Sequence, residues 1–370
     1  IASDMGKRAR TLRSGFTTGT AAAAAAKAAV MRLVLGRTPA AVEVELLTGA
    51  RLRIPVHGCR VEPDGSAACT VVKDAGDDPD VTHGAEIGAR VRLRAGSGLH
   101  IAGGPGVGRV TKPGLDVAPG EAAITPGPRR MIAAAVGEAL SDSGRTHAVE
   151  VELFVPEGEA IARRTLNARL GILGGISILG TTGVVRPLSH EAFTATIRAA
   201  LSVAAAARVE RAVLTTGRRS ERFAQARWPE LPAEAFVQIG DFFENGLATA
   251  AALGFGRLTV AAFFGKAVKM AQGMAHTHAA KAELTLEALA DWTAASGAPG
   301  LAAAVRGCNT AREAFGLLAA GHPAAVAEVG RRMRAAAGRF AGPAVAVQAV
   351  IFDFEGRVAY DSDFDGGGHG

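Results

Sequence analysis

The sequence predicts two domains, an α+β domain over residues 1–165 followed by an α/β domain over 166–370 with a Rossmann-like, mostly parallel sheet. Three observations carry this reading. First, 370 residues exceed what one ordinary core accommodates, and two domains of that combined size each bury enough apolar surface to be stable. Second, residues 42–94 alternate apolar and polar side chains in short runs with no helical stretch between them, the texture of antiparallel or mixed strands. Third, four segments between 175 and 266 follow one plan, a short apolar run ending in a polar turn and then a helix-like stretch. They run Ile176–Leu179 into Gly180–Gly183, Ala212–Leu214 into Thr215–Arg218, Phe236–Ile239 into Gly240–Asp241, and Leu258–Phe264 into Gly265–Lys266. Parallel neighbours need a crossover, and the crossover helices cover both sheet faces.

In chain order, Gly15–Thr20 precedes an alanine-rich stretch to Leu35, so a helix is expected to start near Thr20, capped by threonine and propagated by alanine. Its first turn offers amides and hydroxyls to an anion, and plain capping is the competing reading. Strands follow at Val42–Leu46, Arg51–Val56, Cys69–Val72 and Val91–Arg94. Lys73–Asp80 holds four aspartates, but its glycine and proline favour a solvated turn over a cation site. Gly103–Leu115 is rich in glycine and superficially resembles a phosphate cradle, which keeps a small-molecule kinase or phosphate-binding protein as an alternative class. A P-loop, however, needs Lys and then Ser or Thr after its last glycine, where Arg109 and Val110 stand. A helix over Pro128–Leu140, a strand over Ala148–Val155 and a junction between Pro156 and Leu170 complete the first half.

In the second half, Phe193, Ile197, Ala200, Leu201 and Ala204 have the spacing of one buried helical face, and Met131, Met270 and Met274 are read as core. Helices are expected from Thr285 to Ala337, interrupted at Gly297, Gly300, Gly307 and Gly321–Pro323. A hairpin turns at Glu355–Gly356, and Asp361–Gly366 reads as a disordered tail.

Composition narrows the function. No run approaches the ~18 consecutive apolar residues of a spanning helix, since Ala21–Ala26 is broken by Lys27, and no cleavable leader pattern opens the sequence. A cytoplasmic enzyme without membrane attachment is expected. A formal charge of +6 favours anionic partners; with one tyrosine, two tryptophans and no long basic run, a carboxylate-rich small molecule suits it better than nucleic acid. Cys59, Cys69 and Cys308 are too few and too irregular for a disulfide framework or zinc site, so reduced thiols and no bound metal are expected. No motif supplies a nucleophile or an acid–base pair. A reaction driven by placing two activated partners in line needs mainly shape, and methyl transfer from a sulfonium is of that kind.

Gly15-Phe16-Thr17-Thr18-Gly19-Thr20, Gly106 to Leu115, Gly175 to Gly183, Leu214-Thr215-Thr216-Gly217-Arg218, and Gly265-Lys266 with Thr277-His278 occur in that order. Together they resemble the cobalt-precorrin-5B C-1-methyltransferase family, known as CbiD, from about residue 12 to 360. The resemblance implies methyl transfer from S-adenosylmethionine to ring carbon C-1 of a contracted tetrapyrrole in cobalamin biosynthesis, and the same α+β then α/β division. His276 stands where Asn is expected in many relatives. Whether the substrate carries cobalt stays open, as does a non-catalytic tetrapyrrole carrier.

On these motifs the expected donor contacts are Gly180, Thr181, Thr182, Gly183, Thr215, Thr216, Gly217, Gly240 and Asp241, at the carboxyl ends of parallel strands. The expected tetrapyrrole contacts are Thr17, Thr18, Thr20, Gly106, Gly108, Lys112, Arg218, Lys266, His276 and His278. A homodimer is the base-rate expectation for assembly.

Overall fold

The computed structural model describes residues 12–141, 147–187, 189–278 and 282–363. Its contacts divide into two compact units, Ile1–His190 and Glu191–Gly370.

In the first unit, β1 (Gly15–Phe16) leads into α1 (Thr18–Leu35), and β2 (Ala41–Glu45) pairs antiparallel with β3 (Arg51–Pro55). Then come β4 (Gly58–Val61), β5 (Ala67–Val72), β6 (Glu86–Arg94) and β7 (Gly98–Gly103), followed by the short β8 (Gly106–Val107) and β9 (Arg109–Val110). Helix α2 (Pro126–Ser141), β10 (Ala148–Phe154), α3 (Gly158–Ala162), β11 (Ile172–Leu173), β12 (Gly175–Ile176) and β13 (Val184–Val185) complete the unit. The main sheet runs β4-β5-β6-β10-β7, with only β10 and β7 parallel.

Alternation explains how that sheet sits. Val149, Val151 and Leu153 of β10 point inward, while Glu150 and Glu152 lie opposite Arg92 and Arg90 of β6 on the other face. The covered face receives α1, whose Ala21–Ala26, Ala28 and Ala29 are fully buried and which also packs on α2. Alanine suits this place because small side chains let a helix approach a sheet and a second helix closely. The helix is long and apolar enough to cross a membrane, yet 72% of it is buried inside the protein. Lys27 is no interruption, since its ammonium donates to Glu43 O at 2.9 Å and pairs with Glu138. Lys73 is likewise buried within the aspartate-rich loop, where its ammonium bonds Asp80 and Thr82.

Two expectations need correcting here. Cys59 and Cys69 are not free thiols: the β4–β5 hairpin sets them directly opposite one another, and they form a disulfide. Ile176–Leu179 is not a strand of the second unit's sheet. Gly175 and Ile176 pair parallel with β8, and Ile178 bridges Ile124, so residues 166–190 fold with the first unit. The run resembles a parallel strand because Ile176, Ser177 and Ile178 are buried in succession, which periodicity cannot separate from sheet membership.

The second unit contains α4 (His190–Ala206), β14 (Arg211–Thr215), α5 (Arg218–Arg227), β15 (Phe236–Gln238), α6 (Phe243–Ala252), β16 (Arg257–Phe263) and α7 (Phe264–Ala271). It continues through α8 (Ala282–Ala295), α9 (Pro299–Arg306), α10 (Ala311–Gly321), α11 (Pro323–Ala341), β17 (Ala346–Phe352) and β18 (Val358–Asp361). The sheet order is β15-β14-β16-β17-β18, four parallel strands and an antiparallel edge. The chain steps outward from β14 to β15 and returns across it to β16. The strand order therefore reverses between β14 and β16, the position at which open α/β sheets generally take up ligands. Phe193, expected in the core, is 41% exposed, and Met274 is only half-buried; Met131 and Met270 are buried as expected. The tail segment Asp361–Gly366 runs beyond the described residues after 363.

Candidate functional site

The carboxyl ends of β14, β15 and β16 bring together one group of the expected residues. Thr215 is fully buried and ties its own strand to the next: its hydroxyl donates to Val237 O at 3.4 Å, and its carbonyl accepts from Ile239 N at 2.8 Å. Thr216, half-buried, shares a 3.3 Å hydroxyl contact with Ser220, whose hydroxyl also donates to Gly217 O. Gly217 opens α5, and a Cβ added there would meet nothing within 4 Å, so space lies beside it. Gly240 turns with φ +57°, and a Cβ there would stand 2.8 Å from the Phe193 ring. Glycine is thus required by both conformation and contact. Phe193 stacks in turn on Phe242.

Asp241 is the centre of a polar cluster. Its carboxylate bonds the Lys266 ammonium and accepts from the buried Thr277 hydroxyl at 2.9 Å, and its carbonyl accepts from Thr277 N at 2.9 Å. Burial works against ionisation of this carboxyl, but hydrogen bonds from Lys266 and Thr277 and the charges of Lys266 and His276 outweigh it. Asp241 is therefore held below the ordinary carboxylate range. Lys269 donates to the carbonyls of Thr277 and His278, and burial together with the like charge of Lys266 pulls its ammonium downward despite Asp241. His276 meets the Phe242 ring edge-on at 4.7 Å, with His278 6.2 Å away. Lys266, expected as a tetrapyrrole anchor, instead fixes Asp241. Arg218 stays exposed on the first turn of α5.

Four residues past Asp241, Asn245 on α6 carries a buried side-chain oxygen with no hydrogen-bond partner among the described residues. Leaving such an acceptor dry costs about 1–3 kcal/mol, so a donor from a bound molecule is the natural complement. The open space at Gly217 and the carboxylate of Asp241 suit a small molecule bearing hydroxyl and ammonium groups.

The remaining expected contacts lie in the first unit, where the structure uses them internally. Thr17 caps α1 by accepting from Thr20 N at 3.2 Å. The Thr18 hydroxyl accepts from Leu179 N at 2.9 Å, Gly19 N donates to Leu179 O, and the Thr20 hydroxyl donates to Gly183 O at 2.7 Å. Gly180 sits directly against the Thr17 side chain, and the Thr182 hydroxyl closes on Val184. Thr181 alone of this turn is fully on the surface. The two motifs expected to hold tetrapyrrole and donor thus latch onto each other, and the hydroxyls of Thr17, Thr18 and Thr20 are buried and satisfied.

The glycine-rich passage has the same fate. Gly106 adopts φ +74° and passes so near β10 that a Cβ would lie 1.9 Å from Val155 O. Gly104 N, Val107 N and Gly108 N donate to Leu153 O, Gly104 O and Ile176 O. Amides committed in this way cannot cradle a phosphate. The Lys112 side chain lies along Gly171.

Several residues at the second unit's edge carry no motif. Lys269 sits on a helix that only the fold brings to Asp241. Phe223, Phe263, Phe354, Arg219 and Arg312 form a stack of rings and guanidiniums from four separate segments. Among the described residues, no group of three or more His, Cys, Asp or Glu side chains is placed to hold a metal ion.

Comparison with known proteins identifies the chain's relatives. A family model described as CbiD matches residues 5–187, and one described as CbiD, C-terminal domain, matches residues 276–363. The Cobalt-precorrin-5B C(1)-methyltransferase of Nitratidesulfovibrio vulgaris is 49% identical, covering 95% of this chain and 93% of that protein. The enzyme of the same name from Salinispora arenicola is 48% identical over 93% of this chain and 91% of that one. A crystal structure of a cobalamin biosynthesis protein (cbiD) from Archaeoglobus fulgidus is 30% identical, covers 69% of this chain and 78% of that one, and aligns with a TM-score of 0.40. With near-half identity maintained across almost the whole length of both sequences, this chain belongs to the CbiD family.

Proposed function

We propose that this chain is a C-methyltransferase that methylates ring carbon C-1 of cobalt-precorrin-5B, giving cobalt-precorrin-6A, in cobalamin biosynthesis. The observation that carries this reading is the 49% identity to a protein of that name over 95% of the chain. S-adenosylmethionine is the methyl donor, and the second unit acts as its Rossmann-like seat. Bound there, it supplies a methyl group on a sulfonium: an electron-rich ring carbon forms the new C–C bond as the C–S bond breaks, and the electron pair stays on sulfur.

The chain's own residues place that donor. Gly217 leaves room at the end of β14, Thr216 offers a hydroxyl, and Asp241, held anionic by Lys266 and Thr277, accepts from ribose hydroxyls or an ammonium. Asn245 supplies the further acceptor. Gly180–Gly183 are left out of the donor site because they serve the first unit's latch. No general base is needed to start the transfer, which agrees with a site built on placement. The activity belongs to the cytoplasm, where such intermediates are made.

Turnover with methyl-labelled S-adenosylmethionine and the purified corrinoid tests the reaction. Label transferred to the ring is expected; tetrapyrrole binding without transfer would instead identify a carrier. Calorimetry with S-adenosylhomocysteine and ATP should show heat with the first alone.

A further inference from the structure

The arginines of this protein divide into two kinds. Most that a neighbour holds in place face a carboxylate: Arg90 lies on Glu62 and Glu152, Arg92 on Asp64, Arg306 on Glu287 and Asp291, Arg357 on Asp353 and Glu355. Arg219 and Arg312 are held differently. Arg312, on the first turn of α10, lies 4.3 Å above the Phe354 ring at the tip of the β17–β18 hairpin. Phe354 stacks on Phe263, the last residue of β16, with centroids 5.8 Å apart and planes 11° from parallel. Arg219, on the first turn of α5, lies 5.2 Å from the Phe263 centroid and donates to Phe354 O. Phe223 braces the set from the side, edge-on to Phe263.

Neither guanidinium has a carboxylate partner among the described residues, although carboxylates are near in sequence. Asp353 and Glu355, flanking Phe354, are taken by Arg357, and Glu313, beside Arg312, accepts from Asn309 N. Aromatic rings hold a guanidinium by its face and leave its N–H edge free to fork onto a carboxylate. Both arginines are exposed, and their rings are half-buried, so the Arg312 edge and the Arg219 N–H groups that Phe354 O does not take face solvent on a preorganised support. The stack grows from the ends of β14 and β16, the strands between which the sheet order reverses.

We infer that Arg219 and Arg312, clamped on the Phe263–Phe354 stack, form a seat for the carboxylate arms of the tetrapyrrole substrate. The inference rests on the methyltransferase reading for the identity of that substrate, whereas the chemistry of the seat, two forked cations on an aromatic ledge, stands on geometry alone. It replaces Lys266 and the Thr17–Thr20 segment, whose polar groups are already satisfied, as the source of carboxylate recognition.

Uroporphyrin, a tetrapyrrole with eight carboxylate arms, serves as the probe, with binding to the full chain followed by fluorescence anisotropy. Arg219→Gln and Arg312→Gln should each weaken binding about ten-fold or more, the scale of one lost charge-assisted contact. Arg312→Lys should recover part of that loss because it keeps the charge without the fork. Phe354→Leu should weaken binding while leaving both arginines in the chain. Affinity for S-adenosylhomocysteine should not change in any of them. Unaltered uroporphyrin affinity in both glutamine variants, or no uroporphyrin binding by the unaltered protein, overturns the seat. If arginine-dependent binding holds but methyl-labelled donor gives no product with the corrinoid, the proposed reaction falls and the seat remains.

Discussion

Asp241 is the residue on which the proposed donor site turns, and its behaviour follows from its neighbours. Because its folded pKa lies below the ordinary value, its charge is present throughout the neutral range and is lost only as pH falls through the depressed pKa. Donor affinity should therefore be flat from pH 8 down to about 5 and decline only below about 4, the ordinary aspartate value. Calorimetry across that range checks it, and a decline centred well above about 4 would count against Asp241 as the group that titrates. Asp241→Asn should lower S-adenosylhomocysteine affinity about ten-fold, the worth of a hydrogen bond to a charged group. Lys73 and Asp80 form a second residue-scale device, with a structural role. Burial opposes ionisation of Asp80, but the charge of Lys73 and hydrogen bonds from Lys73 and Thr82 hold its carboxyl low. The stabilisation is complete above the unfolded aspartate value and is lost as pH falls through the folded one. Asp80→Asn leaves a buried ammonium without its counter-charge and should cost about 3–5 kcal/mol in urea unfolding at pH 7, with a smaller deficit under acid conditions. Both clusters are partly legible in the sequence, since Asp241 closes a strand and Lys73 opens an aspartate-rich loop. The pairing of Asp241 is not legible, because Lys266 and Thr277 reach it through the fold, whereas Lys73, Asp80 and Thr82 meet within one short loop.

At the scale of elements, the segment from Thr17 to Thr20 and the turn from Leu179 to Gly183 behave as one latch. Capping chemistry in the sequence correctly marks a helix start at the threonines, with the cap itself at Thr17. What it leaves open is whether the spare hydroxyls meet a ligand or another loop, and the loop wins by supplying carbonyls at 2.7–3.2 Å. Thr20→Val removes one such bond while Thr17 N still serves Gly183 O, so the expected loss is only about 1 kcal/mol. Gly106→Ala is expected to be harsher, about 2 kcal/mol or more, because the positive φ and the contact with Val155 O act together. Denaturant titration of the two variants should rank them in that order, and equal losses would contradict the close-approach account of Gly106.

For the molecule as a whole, the two units each enclose a core. That of the first is centred on α1 and the mixed sheet, and that of the second on the parallel sheet and its helices. A fragment beginning at residue 191 should fold and bind S-adenosylhomocysteine, whereas one ending at 190 should fold without binding it; circular dichroism and calorimetry on the two fragments decide the matter. A cut at 165, which the junction Pro156–Leu170 suggests, should instead leave Ile172, Ile176 and Ile178 without the core they fill and give a poorly cooperative first fragment. The amino-acid sequence by itself determined the class of each half, three of the four strand-and-turn units and the family, because side-chain periodicity, capping and glycine turns are local properties. The tertiary structure alone decided where 166–190 packs, that Cys59 faces Cys69, and that Arg219 and Arg312 converge on Phe354. Those outcomes depend on which distant backbone groups and rings lie within reach, and spacing along a chain carries no record of that distance.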